Sequence, residues 1–481
     1  MGVGSVYTAR APGTNLVTNL GSTAVTLTWD TEVDTSPDIT RQSGNTAFRI
    51  QNTGRYLVIS SVGMDYSDIG NNNRHVVRAR ILLGGSGQAG YDTAGSFGRG
   101  VGADDGHACA VIIIDHTVVG GAGDDITADI LNVGDVATST ADQFANQSGI
   151  QIIRLPDPAD AAILNVRRTT AQTITAGGGI TTAVDPSGWD SISWDTQDAE
   201  TDSGVIEWVS GTDITLKESG WYLVNFGWLG TSGTGRKGQI GRLTLDGTEI
   251  RASRAHGYLR NLDGADEQYP RVVVLFEAVA NDVLLAQVAN SGESTGNSDV
   301  GLGNIQVLRM PNTAKYLRIY EDAARSSETS GAIDFTAEET DDLGVHDNVT
   351  NPSRISGDSD DHDWLLLGQW QEHTESATEN SRVIAHLEWS KTGTTIQYGS
   401  SSSYNRGNTT DGVFLSGGNA ALAIKALGSS DYVDLRVTQR ANTGDQQRQF
   451  VSERFGISGV ALDTLAVAAI RHRRLLLGVG I

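Results

Sequence analysis

Apolar residues in this chain come in short runs, some continuous and some alternating with polar positions. They fall at Val76–Leu83, Ala110–Ile114, Leu243–Leu245, Val272–Phe276, Val283–Val288, Val383–Trp389, Ala420–Ala426 and Tyr432–Val437. Clusters of Gly, Asn, Asp and Ser separate them, and almost nothing reads as helix. Short strands punctuated by turn signals at regular spacing predict an all-β sandwich or barrel. The 58 glycines against 8 prolines fit many tight turns and loops.

The runs repeat. Gly149-Ile150-Gln151-Ile152-Ile153-Arg154-Leu155-Pro156 returns as Gly303-Asn304-Ile305-Gln306-Val307-Leu308-Arg309-Met310-Pro311, with the two Arg-x-Pro signatures 155 positions apart (309 − 154). Trp29-Asp30-Thr31 recurs as Trp194-Asp195-Thr196, and Gly54-Arg55-Tyr56-Leu57-Val58 as Gly220-Trp221-Tyr222-Leu223-Val224. A more diverged copy supplies Ile333-Asp334-Phe335 and Asp363-Trp364-Leu365-Leu366-Leu367. Self-similarity at this period implies three versions of one unit, with boundaries at 1–156, 163–311 and 315–464. Each unit runs in one order: an opening strand (Ser5–Arg10, Ile163–Arg168, Tyr316–Tyr320), the Trp-Asp or Asp-Phe element, then the aromatic strand. An Arg-containing strand follows (Arg74–Leu83, Arg236–Leu245, Arg382–Trp389), then a strongly apolar strand (Ala108–Ile114, Arg271–Phe276, Ala420–Ala426). A Val/Leu strand and a Gly-Ile strand close the unit. The junctions, Asp157–Ala162 and Asn312–Ala314, are so short that the units must be neighbours, since six residues span at most about 20 Å.

Length agrees with three domains, because 481 residues at about 150 per domain gives three. Cys109 is the single cysteine, so no intrachain disulfide forms. No apolar run of about 18 or more residues is present, which predicts no membrane span. Met1-Gly2-Val3-Gly4-Ser5-Val6 lacks the pattern of a signal peptide, so synthesis and assembly in a cytoplasm are expected. The net charge of −23 argues against nucleic acid as a partner, since phosphates need a basic face. Five lysines against thirty arginines suit either saline surroundings or a GC-rich genome.

The order of elements resembles the jelly-roll domains of the tumour necrosis factor and complement globular-head type. The resemblance rests on the early Trp, Gly-x-Tyr-Leu-Val on a central strand (Gly54–Val58, Gly220–Val224) and the Gly-Ile closing strand (Gly149–Ile153, Gly303–Val307). It implies three tandem antiparallel jelly-roll β-sandwich domains with aromatic strands packed around a threefold axis. It also implies either a single-chain pseudo-trimer or a homotrimer of tiered chains. Forms without signal peptides or cysteines look like head decoration and fibre proteins of phages and archaeal viruses.

Candidate chemistry is sparse. Asp358, Asp360, Asp361 and Asp363, with His362 among them, form the densest acidic cluster and offer oxygen ligands suited to calcium. The spacing is not that of an EF-hand, and a solvated loop is the simpler reading. Glu338, Glu339, Asp341, Asp342, His346 and Asp347 make a second acidic stretch of the same kind. His107 and Cys109 share a strand face, but zinc would need two further ligands, so Cys109 reads as a small buried hydrophobe. No Gly-x-Ser-x-Gly, His-Glu-x-x-His or Gly-Lys-Ser/Thr motif is present, and an enzyme is not expected. Trp29, Trp194, Trp221, Trp228, Trp364 and Trp370 fall on repeat landmarks and are expected in cores or between domains. Trp189, Trp208 and Trp389 are the candidates for exposed contacts.

Residues 465–481 lie beyond the last repeat, apolar and basic against an acidic body. Arg471, Arg473 and Arg474 beside Leu475, Leu476 and Leu477 have the composition of a docking hot spot. Together these features predict a virion structural protein, a capsid decoration or head-fibre protein whose tail docks on a major capsid or other virion protein. The alternative is a receptor- or glycan-binding tail-fibre adhesin.

Overall fold

A computed structural model of the chain describes residues 4–465 apart from loops at 12–19, 21–22, 66–73, 88–92, 100–104, 134–141, 144–147, 158–160, 178–184, 233–235, 261–266, 292–296, 324, 327–329, 375–381, 397, 407–414, 442–447 and 451–452. The chain is all-β. Among the described residues the only helical elements are two 3-10 turns, Gly121–Asp124 and Leu462–Leu465.

The strands form six antiparallel sheets, which pair off along the chain within residues 6–154, 163–309 and 316–461. In each pair the opening strand lies beside the closing one: Val6–Arg10 on Gly149–Arg154, Ile163–Arg168 on Ser298–Arg309, and Tyr316–Tyr320 on Gly456–Ala461. The closing strand in turn lies beside the aromatic strand. First and last strands as neighbours within one sheet, with the intervening strands divided between two sheets, make the jelly-roll arrangement. The register also places the diverged copy: Trp364 faces Ile424 and Ala461 as Tyr56 faces Ile114 and Arg154, and as Tyr222 faces Phe276 and Arg309.

Side chains alternate across a strand, and here both faces of the central strands are buried. Tyr56, Val58, Ala110, Ile112 and Ile114 point into the core of the first sheet pair. Their neighbours Leu57, Ile59, Cys109, Val111 and Ile113 point the other way, into a cluster shared with Trp221, Leu223, Val273 and Leu275 of the second pair and Leu365, Leu367, Ala421 and Ala423 of the third. The same division holds for Tyr222 and Val224 and for Trp364 and Leu366, each in its own core. Burial on two faces explains why these strands read as continuous apolar runs rather than as alternation.

Two further contacts surround the shared cluster. Phe97, Tyr258 and Tyr404, one from each sheet pair, form a triangle with ring centroids 5.1, 4.6 and 5.0 Å apart. These rings stand on Thr93–Arg99, Ala255–Arg260 and Ser401–Arg406, not on the Gly-x-Tyr-Leu-Val strands. At the opposite end of the sequence logic, Gly4 takes φ +93° with its α-carbon against the carbonyl of Leu462, where any Cβ would collide. The beginning of the chain therefore packs on the end of its third sheet pair.

The repeated Arg-x-Pro arginines hold the exits from the first two sheet pairs. Arg154 lies over the Tyr56 ring at 5.5 Å and donates to Thr53 O and Asp157. Arg309 lies over Tyr222 at 5.2 Å and donates to Ser219 O and Asn312. Beside the second exit, Trp221 stacks on Tyr316 with centroids 4.3 Å apart and planes 8° from parallel.

Candidate functional site

The tryptophans on repeat landmarks are where the pattern places them, Trp29, Trp194, Trp228, Trp364 and Trp370 in the cores and Trp221 in the shared cluster. Trp389 is a correction to the expectation of exposure: it is fully buried in the third core. It shares the inward face of the Arg382–Lys391 strand with Ala385 and Leu387, opposite His386 and Glu388. Trp208 is half-buried against the second core and donates to Gly211 O. Trp189 is half-buried under Arg242 and Arg254, whose guanidinium carbons sit 4.0 and 5.1 Å from its ring.

The acidic clusters are occupied with internal partners. Asp358 accepts the Asp360 N–H and lies 3.4 Å from His362, which is 2.7 Å from Asp463 on its other nitrogen. Asp363 accepts the Ala426 N–H, and burial raises its carboxyl above the ordinary range. Asp361 turns the backbone at φ +52°. In the second stretch Glu338 meets His346 at 2.8 Å, Glu339 meets Arg318 at 3.0 Å, and Asp342 accepts the Tyr316 N–H. Among the described residues these aspartates do not make a three-donor metal group; the one such group is His107, His386 and Glu388. Cys109 is apart from it, and burial pushes its thiol up to about 12, which keeps it protonated. Arg471, Arg473, Arg474 and Leu475–Leu477 lie outside the described residues, while Leu465 is buried in the shared cluster.

A cavity of about 250 Å³ opens between the first and second sheet pairs. Its walls bring Arg78, Arg80 and Thr93 from one side to Trp228, Tyr269 and Arg271 from the other. Arg80 is held by Asp129 in a two-pronged ion pair at 2.8 and 2.5 Å. Arg271 donates to Thr93 O at 2.9 Å and to Asn225 Oδ1 at 2.5 Å. Arg78 lies 5.6 Å from the centre of the Tyr269 ring and 3.3 Å from its hydroxyl, which donates to Glu267. Burial and the Glu267 hydrogen bond raise the Tyr269 phenol, so it stays protonated. Three guanidinium groups on an aromatic floor, in a chain of net charge −23, suit a small anionic ligand. The charged groups of its described wall are Arg78, Arg80 and Arg271.

No family model matches the chain, and no curated protein does. Its likeness is to TNF-like jelly-roll proteins of known structure. Murine APRIL is similar at 11% identity and TM-score 0.22, over 31% of this chain and 99% of that one. PRD1 vertex protein P5 is similar at 14% and 0.21, over 31% and 97%. Eiger TNF from S. frugiperda is similar at 11% and 0.21, over 32% and 92%. No helix of the described residues is long and apolar enough to cross a membrane.

Sequence missed the arginine cavity because its walls come from residues such as Arg80 and Arg271, far apart in the chain. The one available signal was the arginine on each Arg-containing strand, which reads equally well as a solvated face.

Proposed function

We propose that the chain is a virion structural protein, a capsid decoration or head-fibre protein made of three jelly-roll domains closed as a single-chain pseudo-trimer. The carrying observation is the apolar cluster to which all three sheet pairs contribute. Apolar sheet faces that would otherwise need partner chains to cover them are covered here by sheet pairs of the same chain. Such a body is rigid, acidic and complete as one copy, and it suits a projection better than a catalyst. Residues 465–481 are its attachment, with Arg471, Arg473 and Arg474 meeting acidic partner surface and Leu475–Leu477 filling an apolar groove. The test combines light scattering with particle binding. The full chain is expected to be monomeric and to cosediment with virus particles, and a chain ending at Leu465 to stay folded and monomeric but remain in the supernatant. A trimer in solution would remove the pseudo-trimer, and undiminished cosedimentation of the shortened chain would remove the tail.

The second reading, a receptor- or glycan-binding adhesin, is favoured by the arginine–aromatic cavity between the first two sheet pairs. It predicts saturable binding of acidic sugars on a glycan array, lost in Arg78→Ala. Absence of acidic-sugar binding by the unaltered chain would dispose of it.

A further inference from the structure

We propose that His107, His386 and Glu388 form a binding site for a zinc-class transition-metal ion that pins the first sheet pair to the third. His107 stands on Asp105–His116, and His386 and Glu388 stand two apart on Arg382–Lys391, on one face of that strand. Both imidazoles are buried, with centroids 4.7 Å apart and planes at 77°. One donor atom from each of the three side chains lies within 4.8 Å of the others. Tetrahedral zinc with bonds of about 2.0–2.1 Å brings its ligands to roughly 3.4 Å from one another, so closure needs small side-chain rotations and no backbone movement. Two imidazoles and a carboxylate match zinc and its neighbours in softness, whereas calcium asks for six or more oxygens.

The supports are already in place. The Thr438 hydroxyl donates to Glu388 Oε2 at 3.0 Å, orienting the carboxylate. Ser402, from the third sheet pair, accepts the His107 N–H at 2.7 Å and so fixes the His107 backbone across the same interface. These side chains supply three ligands, of which half-buried Glu388 is the most exposed.

The repeat gives an independent reason to regard this as a place where the fold brings two side chains together. Leu83, Leu245 and Lys391 begin equivalent hairpins, pairing with Ser86, Thr248 and Thr394. Counting back aligns His386 with Arg78 and Ile240, and Glu388 with Arg80 and Arg242. Across the interface His107 precedes Cys109 by two residues, as Tyr269 precedes Arg271; Cys109 and Arg271 pair with the equivalent Ser61 and Gly227. The Arg78–Tyr269 contact at one interface is thus the counterpart of the His386–His107 contact at another. The third counterpart of His386 is Ile240, an apolar residue that lies opposite Ala289 in its own sheet. The same contact position thus carries an arginine–tyrosine pair at one interface and, at the His107–His386 interface, the donor set of a metal site.

This inference is independent of the virion reading. The full chain, stripped with chelator and dialysed, is titrated with Zn²⁺ by calorimetry and with Co²⁺ by visible absorption. Expected are one ion per chain, a cobalt d–d band and a higher unfolding temperature with zinc. His386→Ala is expected to abolish the band, and Glu388→Gln, at a half-buried position that folding tolerates, to weaken zinc binding at least about tenfold. Absence of stoichiometric uptake by the unaltered chain would overturn the site. So would uptake left unchanged by Glu388→Gln and by His386→Ala.

Discussion

Gln306 of the second sheet pair binds Ile113 of the first as one strand binds another: its Oε1 accepts the Ile113 N–H at 2.9 Å, and its Nε2 donates to the Ile113 carbonyl at 2.8 Å. Gln151 does the same to Ala423 of the third pair, at 2.8 and 2.5 Å. Ser458 of the third pair closes the circle, accepting the Leu275 N–H at 2.9 Å while Arg318 donates to the Leu275 carbonyl at 3.2 Å. Ile113, Leu275 and Ala423 are equivalent positions, opposite Leu57, Leu223 and Leu365. Each would otherwise leave peptide groups unmatched inside an apolar cluster, so the Gln306 and Gln151 amides, with Ser458 and Arg318 at the third position, supply the ladder that the sheet edge lacks.

Replacing Gln306 with leucine keeps the volume and removes both hydrogen bonds to Ile113, together with the one that Asn225 Nδ2 donates to Gln306 Oε1 at 2.9 Å. Two buried peptide groups of Ile113 then lose partners at about 1–3 kcal/mol each. The expected result is a loss of about 2–6 kcal/mol in urea unfolding, against a small effect for an exposed control such as Val209→Ala. A loss within experimental error would show that water or rearrangement satisfies Ile113.

Residues 1–156 expressed alone expose Leu57, Ile59, Val111 and Ile113, which the full chain buries in the shared cluster. An apolar face of that kind seeks cover. The fragment is expected to self-associate, and the full chain to unfold in one calorimetric transition. Separate transitions for the full chain would mean that the sheet pairs are only loosely coupled.

His256 gives the pH dependence a sign. Its imidazole is buried beside Ser291, and burial holds it down at about 3 against an ordinary value near 6.5. The unfolded chain therefore binds one more proton than the folded chain between those values. Stability is complete above about 6.5 and falls as pH drops through that window, by up to about 1.4 kcal/mol per pH unit for this group. His256→Gln is expected to flatten that part of a stability-versus-pH curve; an unaltered slope would assign it to other groups.

Cys109, held protonated at the centre of the shared cluster, is expected to resist thiol reagents at pH 8 and to react fully in denaturant. Rapid labelling of the native chain would show that the sheet pairs part on the experimental timescale.

Much of this was legible from residue order alone. The opening strands, the Arg-containing strands and the Gly-Ile endings lie where the repeat puts them, because turn residues and strand periodicity are local properties. The Arg-x-Pro exits were legible as junctions, though not as clamps over Tyr56 and Tyr222. Trp389 was misread because a short apolar run shows that a strand is buried without showing how deeply each position sits. The four aspartates of 358–363 were conspicuous by density, yet His362 engages Asp358 and the Ala426 amide engages Asp363.

Sequence by itself determined that the chain is all-β, where its strands fall, and that one unit recurs through its length. Tertiary structure alone decided which face of each doubly apolar strand enters its own sandwich and which enters the common cluster. It likewise decided that Arg78 meets Tyr269, that His107 meets His386, and that Gln306 reaches Ile113. Local spacing encodes which residues share a strand face, whereas these meetings depend on the packing of three sheet pairs on one shared apolar cluster and join residues far apart in the chain.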